Sequence, residues 1–567
     1  MVSVVAVVAG FAAVGIAVLT ADNGDAGAGP GTDPTGTPGA TQTAAGSPTA
    51  EGALTYSGIL PLALDDPGLD LEPAPEGTEP DLRFVSDDPG GIVADIQVLV
   101  TDPAMGVWDV TGEQAQRLVR GEFVSWTEVG GRDLPVVVAS IGTGTSAAAQ
   151  TQAFDSYEAL RAGLISGSGI VALVPMSVVH SPMAAIAIDG VSPVAGDVPP
   201  DTWPFVTRIG VHGETSRGHA AVGGLVEQLA WEPVDAVRVV GTGDIIPVRC
   251  SLGAIEATGD YGAPFRGDVG QFLREADLAL GSWDLSLQDF SEAYRCVSTV
   301  NLTAPEATVE VLTAGGLDAV TVATNHVFDC GVIAFCGADA FLNTLDVLAA
   351  NGIVAIGGGR NLDEAQQAHI FEVGGLRFGV LAFDDVAAMD LGAAVDSPGT
   401  SPLDDDYSNE RELGGAAFFA PAELLDLTRY ESLISELEPE VDFVIVQLNS
   451  GTEDTHTPSP RSLKAARAAI AAGADIVFGN QAHHVQASEA IGDGFIIYAM
   501  GNFIYDQIHT PEHTHSVLTE VTFWPDRTAA VRLIPVAIRN YYLPEFSQGD
   551  EAANILGDVS AAAEALR

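Results

Sequence analysis

Val441-Asp442-Phe443-Val444-Ile445-Val446-Gln447-Leu448 reads as a buried strand, and it breaks at Asn449-Ser450-Gly451-Thr452-Glu453. The helix that follows opens near Ser459-Pro460 and carries Leu463, Ala466, Ala469 and Ile470 at helical spacing. A second apolar strand, Ala474-Asp475-Ile476-Val477-Phe478, ends in Gly479-Asn480-Gln481-Ala482-His483-His484. A third, Phe495-Ile496-Ile497-Tyr498-Ala499-Met500, ends in Gly501-Asn502-Phe503-Ile504-Tyr505-Asp506. At each break, ligand-capable side chains follow the apolar run at once. In α/β proteins sites are assembled at the carboxyl ends of strands, so this stretch predicts an α/β fold with a site on one sheet edge.

The same grammar holds upstream. Ala236–Val240 is a strand running into Gly241-Thr242-Gly243-Asp244, and Glu275 to Asp284 is another ending in an acid. Ala319–Ala323 ends in Thr324-Asn325-His326-Val327-Phe328-Asp329-Cys330-Gly331, and strands at Ile353–Ile356 and Leu376–Leu381 follow. Asp390 to Leu413 is acidic and aperiodic, which predicts a surface loop. Val517–Trp524 and Ala529–Ile538 predict an antiparallel pair, and Glu551–Arg567 an exposed, Ala-rich terminal helix.

The N-terminal third has a different character. Residues 1–21 hold an uncharged apolar run, Val2 to Leu19, long enough to predict a transmembrane anchor or a signal segment. Residues 22–53 are rich in Gly, Ala, Thr, Pro and Ser and predict a flexible linker. Residues 54–215 predict a smaller α/β unit: a strand at Asp95–Val100, a helix capped by Thr111, and the stretch Gly121 through Trp126 to Gly130-Gly131. This stretch, with Ser140-Ile141-Gly142-Thr143-Gly144-Thr145-Ser146, resembles the phosphate-type substrate-binding proteins, whose Ser-Gly-Thr loop cradles an anion at a helix start. The charged residue before that loop is replaced by Ser140 and Ile141, and there is room for one lobe only. The expectation is therefore a structural or docking module. Residues 216–233 predict a connector helix, 234–546 the main domain and 547–567 the terminal helix.

The chain has 567 residues, 47% of them hydrophobic, with 77 acidic against 23 basic side chains and a net charge of −54. So acidic a surface repels phosphate backbones and anionic headgroups, which argues against nucleic-acid and peripheral membrane binding. Four cysteines in an exported chain predict two disulfides, and Cys250–Cys296 with Cys330–Cys336 would staple loops near the strand ends.

Asp244, Asp284, Asn325, His326, Asn449 and His483 each follow an apolar strand. Any one of them alone reads as a helix cap or turn residue. In order along one sheet edge they read as a divalent-metal site for phosphoester-like chemistry: carboxylates hold hard or borderline cations, Asn gives a neutral oxygen, and His gives nitrogen.

Five blocks in this order resemble the CapA (PgsA-like) poly-γ-glutamate capsule-biosynthesis family. They are Gly243-Asp244-Ile245-Ile246, Ala276 through Asp284, Ala323 through Gly331, Ala471 through Gln486 and Tyr498 through Gln507. The resemblance covers about 234–546. It implies a four-layer α/β/β/α sandwich like that of calcineurin-type metallophosphatases, and a membrane-anchored extracellular role with an anionic polymer and its membrane synthesis machinery as partners. It also implies that Asp244 holds a first metal, Asp284 bridges two, and Asn325 holds the second. His326 would protonate a leaving oxygen, with Asn325 beside it in the catalytic block, and His483 would return to the first metal.

Three departures fall in the site. Ser282-Trp283-Asp284 replaces the family's Asn-Leu-Glu, Asn449-Ser450-Gly451 its His-Trp-Gly, and Gln481-Ala482-His483 its His-Pro-His. Two imidazoles thereby become amides. The second position would rest on Asn325, Asn449 and Gln481, so one divalent ion (Mn, Mg, Ca or Zn) is expected rather than two. His484 points away from that site in a strand register, and His509, His513 and His515 read as a solvated loop. The leading expectation is a CapA-like protein outside the cytoplasm, anchored at the cell membrane or secreted after cleavage. An active cell-surface phosphoesterase and a non-catalytic scaffold are the alternatives.

Overall fold

The structure, a computed structural model, describes residues 54–57, 71–142, 150–165, 167–196, 198–289, 295–297, 299–330, 334–335, 337–386, 391–404 and 421–567. The hydrophobic segment and linker expected over 1–53 lie outside them, as does Thr143 to Ala149 of the anion-loop motif. Among the described residues no helix is long and apolar enough to cross a membrane.

Strands that are apolar on every residue have to be covered on both faces, and here helices alternate with them in the chain. The result is two sheets packed face to face. In the first, Val354–Ile356, Ala319–Thr321, Leu278–Trp283 and Val237–Ile245 run parallel, and His515–Trp524, Arg527–Arg539 and Leu543–Phe546 extend it antiparallel. In the second, Leu376–Asp384, Phe443–Asn449, Ile476–Asn480 and Gly494–Ile497 run parallel, flanked by His369–Val373 and Ser488–Ile491.

The two-residue period of a strand sorts the side chains into layers. Val239, Leu280, Phe378, Ile445 and Phe478 fill the space between the sheets. Their neighbours Val240 and Ala279 face outward onto the helices Arg249–Thr258, Asp268–Arg274 and Ala338–Ala350. On the other side Val444, Val446 and Val477 meet the helices Thr428–Leu437 and Pro460–Ala471. The order is helix, sheet, sheet, helix. At Gly243 a Cβ would lie 2.0 Å from the carbonyl oxygen of Gly501, so only glycine lets the two chains meet there.

The strand expected over 495–500 is shorter than that, and a separate strand follows beyond the Gly501 contact. Gly494–Ile497 stays in the second sheet, and Asn502–Ile504 crosses to pair with Val237–Ile245 in the first. The crossing sets Asn502 in register with Asp244.

The N-terminal unit is a sheet in the order Leu71–Pro73, Leu54–Ser57, Leu82–Ser86, Val206–Gly213, Ile92–Thr101, Ile170–Pro175, Val137–Ile141 and Thr151–Phe154. Thr111 caps the helix Gly112–Val119, and the helix after the sheet is Ser216–Leu229. The core of this unit takes in Trp524, Ala529 and Ala530 from the sandwich's long hairpin, and Trp524 Nε1 donates to the Val194 carbonyl at 3.1 Å.

Two expectations are corrected. The terminal helix, Gly549–Ala565, is not exposed: Ile555, Leu556 and Val559 are buried in the inter-sheet core, because its apolar residues recur on one face. Within the expected surface loop, Leu391, Ala393 and Leu403 are buried, and Gly399–Thr400 pairs with Gly358–Gly359. Cys250 and Cys296 are disulfide-bonded as expected. Cys330 is disulfide-bonded too, and Cys336, its expected partner, lies outside the described residues.

Candidate functional site

Parallel pairing brings the strand ends to one rim. Asp244 is in register with Ser282 on one side and Asn502 on the other; across the gap, Asp384, Asn449 and Asn480 are in register along the second sheet. Asp244 is 1% exposed. Its carboxylate accepts from Ser282 Oγ at 2.9 Å and from the Gln481 amide N–H at 3.4 Å, and it lies 3.5 Å from His483 Nδ1.

His483 is held from both sides. The Asn502 amide N–H₂ donates to the His513 carbonyl at 3.0 Å, which turns Asn502 Oδ1 toward His483 Nδ1 at 2.9 Å. Nδ1 therefore carries a proton. Burial alone lowers the pKa of this imidazole, but the carboxylates of Asp244, Glu453 and Asp284 outweigh it and raise it to about 9. Gln481 and His483 both sit at positive φ, +89° and +57°. Left-handed backbone at non-glycine residues costs about 1 kcal/mol or more and collects at functional sites.

Asp284, 2% exposed, accepts from the His326 amide N–H at 3.2 Å. Burial raises its pKa, His326 and His483 pull it down and Asp244 pushes it up; the net direction is upward. His326 Nδ1 is 2.6 Å from Asp329 Oδ2, which leaves Nε2 for the rim. Burial lowers the His326 pKa, and Asp284 and Asp329 more than reverse it. Asp329 is a partner of His326 to which the sequence pattern assigns no role. Its carboxylate also accepts from the Leu302 N–H at 2.7 Å, which fixes the His326 ring.

The amides share one property. Asn449 Nδ2 donates to Asp384 Oδ1 at 3.2 Å and Gln481 Nε2 to Glu453 Oε1 at 3.3 Å, so each amide's orientation is set. The oxygens Asn325 Oδ1, Asn449 Oδ1, Asn480 Oδ1 and Gln481 Oε1 are buried with no hydrogen-bond partner. Buried acceptors left unsatisfied are rare and call for an ion or water. Two buried acids with amide oxygens beside them fit a hard divalent cation. Asp244, Asp284, His326, His483 and Gln481 are joined by direct contacts or charge interactions. Asn325 adjoins His326, and Asn449 joins through its register with Asn480.

Asp244, Asp284 and His483 do not bring three ligand atoms within 4.8 Å of one another. The group of described Cys, His, Asp and Glu residues that does is Asp454, His484 and His513. His484 lies in a bend beyond the strand, and its ring packs against His456 and His513. The solvated-loop expectation holds for His509, which is exposed, and is corrected for His513 and His515, 6% and 8% exposed, because Pro511–Thr514 folds back over the turn carrying His484. Behind Asn449 lies a pair that the sequence pattern does not reveal, Arg461 on Asp385, at 2.5 Å with both side chains buried.

Residues 238–507 match the family described as bacterial capsule synthesis protein PGA_cap. The chain is 24% identical over 273 residues to the capsule biosynthesis protein CapA of Bacillus anthracis, covering 48% of this chain and 60% of that protein. It is 26% identical over 240 residues to the PGA biosynthesis protein CapA of Bacillus subtilis (strain 168), covering 42% and 56%. It thus spans less than two thirds of either relative. Among solved structures, a 5′-nucleotidase precursor from Thermus thermophilus aligns over 58% of this chain and 59% of its own, at 12% identity and TM-score 0.31. An ABC-type phosphate transport receptor from Vibrio cholerae aligns over 26% and 73%, at 15% identity and TM-score 0.23.

Proposed function

We propose that this chain, whose residues 238–507 match the bacterial capsule synthesis family and resemble the CapA proteins, acts outside the cytoplasm in making or exporting an anionic capsule polymer. Poly-γ-glutamate or a polysaccharide is the polymer class. The working centre is a metallophosphatase-type rim that has lost part of its second metal position. The observation that carries this reading is the meeting of Asp244, Asp284, His326 and His483 at one rim inside the matched segment.

Asp244, Asp284 and His483 would have to draw closer than they stand here to hold one divalent ion together, and Asn325, Asn449 and Gln481 would face the second position with amide oxygens alone. The ion supplies Lewis acidity at a phosphoryl or carboxyl oxygen when bound. In its cationic form, which Asp284 and Asp329 favour, His326 has Nδ1–H committed to Asp329 and a proton at Nε2 that it can give to a leaving oxygen. That dyad is also what favours the second reading, an active cell-surface phosphoesterase. Residues 54–215 serve as a docking module joined through the Trp524 hairpin, and the apolar run in 1–21 as anchor or export signal.

Deleting the gene in its host should abolish the capsule, with wild-type complementation restoring it; an intact capsule in the deletion strain refutes the capsule role. Turnover of a generic phosphodiester by the purified chain with Mn²⁺ selects the phosphoesterase reading. Asn449→His should add one bound Mn²⁺ per chain over wild type in equilibrium dialysis, because imidazole is the stronger donor. Unchanged stoichiometry would show that Asn449 does not face the second position.

A further inference from the structure

Asp454, His484 and His513 come from three segments: the loop after Phe443–Asn449, the turn after Ile476–Asn480, and the short helix Pro511–Thr514. Their ligand atoms lie within 4.8 Å of one another. His513 Nε2 is 2.8 Å from Asp454 Oδ1, and the His484 and His513 rings stand edge to face with centroids 4.6 Å apart.

Two further observations point to a ligand. His484 is 7% exposed, yet neither of its ring nitrogens has a hydrogen-bond partner. A neutral imidazole has one N–H and one lone pair, and leaving both unmet in the interior is costly. His513 Nδ1 is 3.0 Å from Thr510 Oγ1, a contact behind the ring of the kind that fixes an imidazole's tautomer and aims its other nitrogen at a metal. Here that nitrogen is aimed at Asp454. The Asp454 side chain is 60% exposed, so the group is closed on the imidazole side and open to solvent on the carboxylate side.

We infer that Asp454, His484 and His513 form a second, separate metal site that takes a borderline divalent cation of the zinc class. Two imidazoles and a carboxylate are the donors such an ion prefers, and three protein ligands with an open side leave a position for water. The donor set, two imidazoles with one carboxylate, is richer in nitrogen than the Asp244 rim, where His483 stands among carboxylate and amide oxygens. The inference does not depend on the capsule reading. The two sites touch through Asn502, which bonds the His513 carbonyl and His483 Nδ1. An ion here would therefore clip together the loop of Glu453, the turn of Gln481 and His483, and the segment beneath Asn502.

The test uses the full chain, stripped with a chelator and dialysed against Zn²⁺, with Co²⁺ as a spectroscopic substitute. Wild type should bind Zn²⁺ and give the ligand-field absorption of low-coordinate, imidazole-bound Co²⁺. His513→Gln and Asp454→Asn should each weaken Zn²⁺ binding by at least about 10-fold, since losing even a partner behind a ligand costs that much. Asp454 is exposed, so Asp454→Asn decides the matter even where the buried histidine variant folds poorly. Asp244→Asn should keep the Co²⁺ spectrum. The inference is overturned if Asp454→Asn binds Zn²⁺ like wild type, or if Asp244→Asn removes all of the Zn²⁺ and Co²⁺ signal.

Discussion

Asp244→Asn is expected to abolish divalent-ion binding at the rim while leaving the chain folded. The amide has the same shape, and its oxygen can still accept from Ser282 Oγ, now 2.9 Å away. What goes is a buried charge, with Asp284 left as the remaining carboxylate among the proposed ligands. At an Mn²⁺ concentration about 100 times its dissociation constant, wild type gains about 2.7 kcal/mol of stability from the bound ion. The variant should gain none, as denaturant unfolding with and without Mn²⁺ will read. Equal Mn²⁺ stabilisation of both proteins would remove Asp244 from the site.

The same variant has a pH signature in metal-free protein. His483 is raised to about 9, above the ordinary imidazole value near 6.5, with Asp244 the leading carboxylate behind the rise. A raised folded-state pKa contributes stability that is complete below the unfolded value and lost as pH climbs through the folded one. Wild type should therefore lose up to about 3 kcal/mol between pH 6.5 and 9 from this group, and Asp244→Asn much less. The two stability profiles should converge at alkaline pH. Parallel profiles would mean that Asp244 is not what holds the proton on His483.

Arg461→Met is expected to destabilise the protein by about 3–5 kcal/mol. Arg461 sits in the first turn of the helix Pro460–Ala471, where a cation is opposed by the helix dipole. It is held there by Asp385, at 3.1 and 3.2 Å from Nε and 2.5 Å from Nη2, with Asp404 at 3.6 Å. All three side chains are at most 4% exposed. Methionine fills much of the volume but removes the counter-charge that the buried Asp385 carboxylate holds. Asp385 also accepts from Ser450 Oγ at 3.0 Å, and its N–H donates to the Asn449 carbonyl at 2.9 Å. The damage should therefore reach the Asn449 turn as well as the helix. Asp385→Asn combined with Arg461→Met should recover part of the loss, because fewer charges are left unpaired. A single-variant cost below about 1 kcal/mol would mean that water reaches the pair and screens it.

Much of the rim was legible in the sequence for one physical reason. A buried parallel strand is apolar along its length, and its end is the first place where a polar side chain can reach a cleft. Asp244, Asp284, Asn325, His326, Asn449 and His483 announce themselves by that position. Asp329 stands in the same block as His326, but nothing local says that its carboxylate grips the imidazole. Asp384 and Asp385 also end a strand, yet the sequence offers no sign that one will orient Asn449 and the other meet Arg461, 76 residues away.

Local periodicity and side-chain identity were enough to set the alternation of strand and helix and the residues at strand ends. Folding in three dimensions was needed to bring Asn502 out of one sheet to stand beside Asp244, to cover the terminal helix, and to bury His484 and His513 against Asp454. Those outcomes depend on which segments are laid across one another. A histidine in a polar stretch carries no local sign of the carboxylate that a distant loop will bring to it.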